Sequence, residues 1–336
     1  MKKCIIPSGY ENKLSLFETE VSIKKVKDFF QNSIAYELNL TRISAPLFLS
    51  DTSGLNDNLN GYERPVGFDI KTIPGEFSVV HSLAKWKRMA LKKYEFPMHA
   101  GLYADMNAIR RDEDELDPLH SIYVDQWDWE LIIKKEERNL EFLKKIVKRI
   151  FRSLQKTEKY INREYPLLSE KLPEDIFFIT SQELEDAYPD LTPKERENAI
   201  AKKYKAVFIS QIGKILKSGE KHDGRAPDYD DWDLNGDLIV WYEPLQCALE
   251  LTSMGIRVSE ESLAKQLTIA GAEDRRELPF HKALLNKELP YTIGGGIGQS
   301  RICLFFLEKI HIGEVQASVW PKEMIDHYKK SGIKFL

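Results

Sequence analysis

Residues 292–301, TIGGGIGQSR, place four glycines within five positions and an arginine just after them. Glycine lets backbone approach a ligand closely and exposes amide N–H groups to it. A dinucleotide fingerprint would need a third glycine where Gln299 stands, and a P-loop would need a following Gly-Lys-Ser/Thr, which is missing. What remains is a strand-to-helix turn that delivers Arg301 one turn into a helix, with close packing as the plainer alternative. Arg110 ends the apolar stretch 102–110 and precedes an acidic loop. On the returning stretch side chains alternate, so Gln126, Asp128 and Glu130 share one face, while Tyr123, Asp125, Trp127 and Trp129 share the other. An amide and a carboxylate beside apolar neighbours suit a pocket wall; an exposed polar sheet face is the competing reading.

Carboxylates recur further along the chain. Glu250 sits inside the apolar run CALELTSM, where an unpaired buried charge is costly, and Ser253 and Arg257 follow closely. Residues 222–237 hold six aspartates in a loop containing glycine and proline. Mg²⁺ takes one or two carboxylates plus phosphate oxygens, so this loop offers the right donors; the aspartate spacing of an EF-hand is absent. In residues 81–88, HSLAKWKR, Ser82 reads as a helix cap with Lys87 about one turn on. Alone, that stretch reads as a basic surface helix.

Elements must hold these groups together. The 336-residue chain is 42% hydrophobic and 30% charged, enough for a substantial globular core. A net charge of −4 argues against a protein whose main work is gripping a nucleic-acid backbone. Three scattered cysteines form no CxxC pair, which suggests reduced thiols in a cytoplasmic protein. No segment approaches the roughly 20 apolar residues of a membrane span. Helical spacing marks residues 18–38, and a long helix over 134–165 has its stripe at Leu140, Leu143, Val147, Ile150, Phe151 and Leu154. Pro46 sets the extended stretch 43–49 at a sheet edge or strand end. Strands are expected at 102–110, 121–130, 176–180 and 206–211, with a capping box at Thr192 opening a helix between the last two. Residues 237–243 and 246–254 read as a hairpin around Pro244, Ser259 caps a helix to about Ala270, and 302–307 is a buried helix. Hairpins rather than βαβ alternation predict an α+β fold, a mostly antiparallel sheet flanked by helices, in one domain over 1–336.

Taken together, VVHSLAKWKR, PLHSIYVDQWDWE, RAPDYDDW, LNGD, ELTSMGIRV and TIGGGIGQSR resemble the catalytic core of class II aminoacyl-tRNA synthetases, and more closely the A-type aspartate–ammonia ligases. The likeness runs from the first helix to HIGEVQASVWP. It implies that the first helix and the Pro46 strand build a homodimer interface, that Arg110 contacts the α-phosphate of ATP, and that Arg301 stacks on adenine. Ser121 and Gly296 join the implied ATP-binding set, and Asp237 and Glu250 would carry Mg²⁺. For the substrate L-aspartate, Ser82, Lys87 and Arg257 would hold carboxylate, Gln126 and Asp128 would take the α-amino group, and Ser253 would line the same pocket. Asp57, or less favourably Asp230, would receive ammonium and accept a proton. Two positions depart from the synthetase pattern: Asp112 stands where Glu is usual, and Ser300 replaces an acidic residue before the arginine. Both departures favour the ligase. A true synthetase would also need an anticodon-binding module of about a hundred residues, so no nucleic-acid partner is expected. A glutaminase nucleophile would need Cys directly after Met1, where Lys2 stands, so free ammonia is the expected nitrogen donor.

Overall fold

The computed structural model describes residues 6–56, 63–113 and 116–336, so Asp57 lies outside the described residues. The chain opens with helix α1 (Leu16–Leu38), started by a capping box between Ser15 and Glu18 and ended by Asn39 in the left-handed region at φ 56°. Short strands β1 (Leu40–Arg42), β2 (Phe48–Ser50) and β3 (Gly67–Ile70) lead to β4 (Ile73–Val79) and helix α2 (Ala84–Lys93). The hairpin β5 (Gly101–Ile109) and β6 (Tyr123–Ile132) follows, then the long helix α3 (Leu140–Glu164). Strand β7 (Phe177–Thr180), helices α4 (Ser181–Ala187) and α5 (Pro193–Tyr204), and β8 (Ala206–Ser210) come next. Strands β9 (Asp230–Tyr242) and β10 (Cys247–Arg257) precede α6 (Glu260–Ile269) and α7 (Pro279–Leu285). Strand β11 (Thr292–Gly298), α8 (Gln299–Phe306) and α9 (Lys322–Lys330) complete the chain.

Eight strands form one sheet in the order β1-β5-β6-β11-β10-β9-β8-β7, and β2-β4-β3 form a second, smaller one. The large sheet is antiparallel except at its edges, where β1 pairs parallel to β5 and β7 parallel to β8. One face is closed by α1, α3 and α8. Val26, Phe30 and Ile34 of α1 meet Leu143, Val147 and Ile150 of α3 and the Ile302–Leu307 run in one apolar core. Burial of these aliphatic and aromatic side chains supplies the driving force for that face. Helices α2, α6 and α7 carry separate apolar clusters, including Leu263, Leu267, Phe280 and Leu284.

Five expectations change. The helix expected over 134–165 starts only at Leu140, because β6 runs on to Ile132 and Asn139 caps α3 by accepting from the Phe142 N–H at 2.9 Å. The aspartate-rich stretch is loop only to Tyr229; Asp230–Tyr242 is strand. The glycines 294–298 lie within β11 rather than in a turn, and Gly298 is the N-cap of α8. Ser82 lies one residue before the cap position of α2, which Leu83 occupies, though its Oγ accepts from the Ala84 N–H at 3.1 Å. Nor is α2 a surface helix, since Lys85, Lys87 and Arg88 are all buried.

Candidate active site

On the sheet face opposite α8, the centres of β6, β11, β10 and β9 align in register. Asp128 pairs with Gly296, Gly296 with Ser253, and Ser253 with Asp237. Partners directly across a sheet share a face, so this row puts two carboxylates and a hydroxyl on one surface. The glycines serve that row by lacking side chains. A Cβ at Gly296 would stand 2.5 Å from Gln126 Oε1, and one at Gly294 would collide with Glu130 and meet Arg257 Nη2 at 2.7 Å. Strand β11 is thus a trough in which side chains from β6 and β10 lie flat. Strand β10 adds a bulge between Glu250 and Thr252. Without it, period-two alternation would put Glu250 and Ser253 on opposite faces; with it, both line one cavity.

That cavity has a volume of about 510 Å³. Arg110, Ser121, Glu250, Gly296 and Arg301 line it, together with Ser82, Gln126, Asp128, Asp230, Ser253 and Arg257. Residues separated by up to 219 positions therefore share one cavity. Arg110 leaves the end of β5, its backbone N–H donating to Ile122 O at 2.8 Å. Asp112 is taken up by Arg64, whose Nη2 donates to Oδ1 at 2.6 Å. Arg301, in the first turn of α8, donates from Nη1 to Glu250 O at 3.1 Å, with Glu250 Oε1 at 3.7 Å.

Lys87 takes a different place from the one the resemblance implies. It does not stand on the wall to meet a carboxylate. It is fully buried on α2, which packs against β6, and donates to Asp128 Oδ1 and, at 3.1 Å, to Gly295 O. Burial pulls its ammonium pKa down, and Asp128 works against that pull. Asp128 Oδ2, on the wall, has no hydrogen-bond partner among the described residues. The pair therefore presents a pre-neutralised carboxylate with one free oxygen, suited to a small ammonium group.

Arg257 reaches the cavity between two carboxylates. Its Nη2 donates to Glu130 Oε2 at 2.9 Å and its Nη1 to Asp230 Oδ1. Burial opposes its charge, but Glu130 and Asp230 outweigh burial and raise its pKa. Burial pushes the Asp230 carboxyl up, against Arg257 and Arg225. Glu130 is held below the ordinary carboxylate range by Arg257 and Lys87 despite its burial, and accepts from Thr292 Oγ1 at 2.7 Å. Asp237 is off the cavity wall; both its oxygens accept from Arg225 Nη2. Burial, with Glu250 and Asp223 nearby, pushes the Asp237 carboxyl up against the pull of Arg225. Of the two carboxylates that the resemblance implies for Mg²⁺, Glu250 lines the cavity and Asp237 is engaged by Arg225, so a cation there would need phosphate oxygens to supply most of its ligands. Among the described residues no cluster of three or more His, Cys, Asp or Glu could hold a metal alone.

Three groups escaped the sequence reading. Glu130 had a signal, since it shares the strand face of Gln126 and Asp128, but nothing local identified Arg257 as its partner. Arg225 lies in the RAPDYDDW stretch, with its pairing to Asp237 set only by folding. Asp228 is fully buried, its Oδ2 lying 3.0 Å from Arg275 Nη1, 3.0 Å from His281 Nε2 and 3.5 Å from Lys85 Nζ, which ties the loop before β9 to α2 and α7.

A mostly antiparallel sheet with an arginine at the end of one hairpin strand and another at the head of a following helix defines the class II aminoacyl-tRNA synthetase architecture. Solved structures agree: asparaginyl-tRNA synthetase from Pyrococcus horikoshii in complex with asparaginyl-adenylate superposes with a TM-score of 0.65 at 13% identity, over 90% of this chain and 70% of that one. The asparaginyl-tRNA synthetase of Entamoeba histolytica gives 0.62 at 13% identity, over 90% and 66%. Within that architecture, the family model described as aspartate-ammonia ligase matches residues 17–332. Proteins named aspartate–ammonia ligase from Ruminiclostridium cellulolyticum and Clostridium perfringens are 64% and 65% identical, each over the full length of both chains. The chain belongs to the aspartate–ammonia ligase family and is a ligase.

Proposed function

We propose that this protein makes L-asparagine from L-aspartate and ammonia, with ATP converted to AMP and diphosphate through a β-aspartyl adenylate. The observation that carries the reading is one cavity lined by Arg110 and Arg301 and also by Arg257 and by Asp128, which Lys87 backs. A carboxylate is a poor electrophile because its oxygen leaves badly. Attack of a β-carboxylate oxygen on the α-phosphorus forms the acyl–phosphate bond and breaks the bond to diphosphate. Arg110 offsets charge building on the α-phosphate, and Arg301 lies over the base and polyphosphate. Asp237 and Glu250, with phosphate oxygens, would hold Mg²⁺, which when bound neutralises triphosphate charge.

Aspartate carries two carboxylates and an ammonium, and the walls match both signs. Asp128 Oδ2 accepts from the α-ammonium, helped by Gln126, while Lys87 holds Asp128 in place. Arg257, oriented by Glu130, faces a carboxylate together with Ser82 and Ser253. Ammonia then attacks the activated carbonyl, the carbonyl–oxygen bond to AMP breaks, and a proton leaves the nitrogen. Asp230, its pKa raised by burial, is the described carboxylate suited to take that proton; Asp57 is the other candidate by resemblance. The exposed Phe17, Val21 and Tyr36 on α1 support the implied homodimer. No helix among the described residues is long and apolar enough to cross a membrane, and we place the enzyme in the cytoplasm.

Aspartate-dependent exchange of labelled diphosphate into ATP, without ammonium, tests the adenylation step. Exchange that needs aspartate is the expected result; ADP formation would contradict it. Adding ammonium should then discharge the intermediate to asparagine.

A further inference from the structure

Gln316 follows the single helical turn Ile312–Glu314, and the proposed reaction assigns it no role. Its amide is fixed by chemistry rather than by packing alone. Asp125 Oδ1 accepts from Gln316 Nε2 at 3.3 Å and from the Ser300 backbone N–H at 3.1 Å, while Lys27 Nζ donates to Oδ2 at 3.0 Å. Ser300 Oγ accepts from the same Gln316 Nε2 at 3.1 Å. An ionised carboxylate only accepts, so the amide must turn its NH₂ toward Asp125 and its carbonyl away. That carbonyl, Oε1, is buried and has no hydrogen-bond partner among the described residues, although Gln316 lines the cavity. A buried acceptor without a donor is costly unless a ligand supplies one.

The neighbours indicate which ligand group that is. Leu119 and Ile312 line this part of the cavity, and Ile312 N–H donates to Pro118 O at 2.8 Å, holding the two segments together. Arg301 lines the same cavity, so a planar guanidinium and two aliphatic side chains border one space. A flat aromatic base fits that setting, whereas the charged far part suits an amino acid. We propose that Gln316 Oε1 reads the nucleobase by accepting a hydrogen bond from the 6-amino group of adenine, and so selects ATP over nucleotides that lack that donor. Guanine would set a carbonyl oxygen against the Gln316 carbonyl, acceptor against acceptor. Asp125, Ser300 and Lys27 act through Gln316 by fixing which way its amide faces. The assignment rests on the proposal that ATP occupies this cavity.

The test compares kcat/KM for ATP with that for purine ribonucleoside triphosphate, which differs by loss of the 6-amino group, in asparagine synthesis by the wild-type enzyme. A preference for ATP of about tenfold to a hundredfold is expected, because the site's acceptor is left unpaired with the analogue. GTP should be used still less well. Gln316→Met keeps length but removes the acceptor, and should bring the ATP-to-analogue ratio close to one with the KM for aspartate unchanged. A purely structural role would lower turnover with both nucleotides equally and leave the ratio as in wild type, which would overturn the assignment. Equal use of ATP and the analogue by wild type would also overturn it, while leaving the adenylation reading intact. A wild type that forms no AMP from ATP at all would instead remove the reading on which it rests.

Discussion

At Gly296 a methyl group would press on the far end of a flexible side chain, Gln126 Oε1 at 2.5 Å, whereas at Gly294 it would press on Trp129 O at 2.6 Å and on the Glu130–Arg257 pair. The two substitutions should therefore separate activity from stability. Gly296→Ala should keep its thermal unfolding temperature within a few degrees and lose about ten- to a hundredfold in kcat/KM for aspartate, because Gln126 is displaced from the pocket. Gly294→Ala should unfold at clearly lower temperature, since backbone and a buried ion pair cannot yield cheaply. Similar behaviour of the two variants would contradict the trough description. Arg110→Ala and Arg301→Ala should each lose most turnover while circular dichroism stays native. Residue types disclosed much of this site: arginines beside an acidic loop and after glycines, and alternating Gln126 and Asp128, all pointed to the cavity. They did not disclose that Lys87 would serve Asp128 from a buried place on α2, because burial of a lysine depends on the carboxylate that the fold brings to it. Nor did they disclose the role of the glycines, whose value lies in the side chains of other strands.

At the scale of elements, α2 changes most between sequence and structure. Its run of basic residues looks like a solvated face, yet Arg88 is buried and donates to Pro290 O at 2.8 Å and to Val258 O at 2.8 Å. Burial lowers the pKa of its guanidinium to about 9. It thereby ties α2 to the end of β10 and to the approach to β11. Arg88→Met should cost about 2–4 kcal/mol in urea unfolding, because two buried carbonyls lose their donor. Lys92→Met, on the exposed side of the same helix, should stay within about 0.5 kcal/mol. Equal effects would mean that α2 is the surface helix that its composition suggests. Periodicity revealed α1, α3 and the β5–β6 hairpin well, since each has an apolar stripe or alternation of its own. It missed the start of α3 and the length of β9, whose polar beginning at Asp230 takes its strand pairing from β10. The β10 bulge left no mark in the sequence beyond the charge of Glu250.

For the molecule as a whole, acid stability follows from groups buried in a fixed protonation state. His311 is fully buried, stacked on Phe335 at 4.3 Å between ring centroids, with its Nδ1 accepting from the Gly313 N–H at 3.0 Å. Burial lowers its pKa from 6.5 to about 3. The folded state thus keeps it neutral while the unfolded chain takes up a proton. Its contribution to stability is complete above pH 6.5 and declines as pH falls toward 3. His311→Gln should reduce the slope of unfolding free energy against pH by about one proton in that window; an unchanged slope would contradict the assignment. The family architecture was legible because its motifs are spread over most of the chain, whereas the second small sheet and the parallel sheet edges depend on pairings between short segments. The central claim is that the β-carboxylate of aspartate is joined to AMP before ammonia attacks. It is tested most directly with aspartate carrying ¹⁸O in that carboxylate. One ¹⁸O should appear in the phosphate of the AMP released during asparagine synthesis, and label in inorganic phosphate, or AMP without label, would contradict the account.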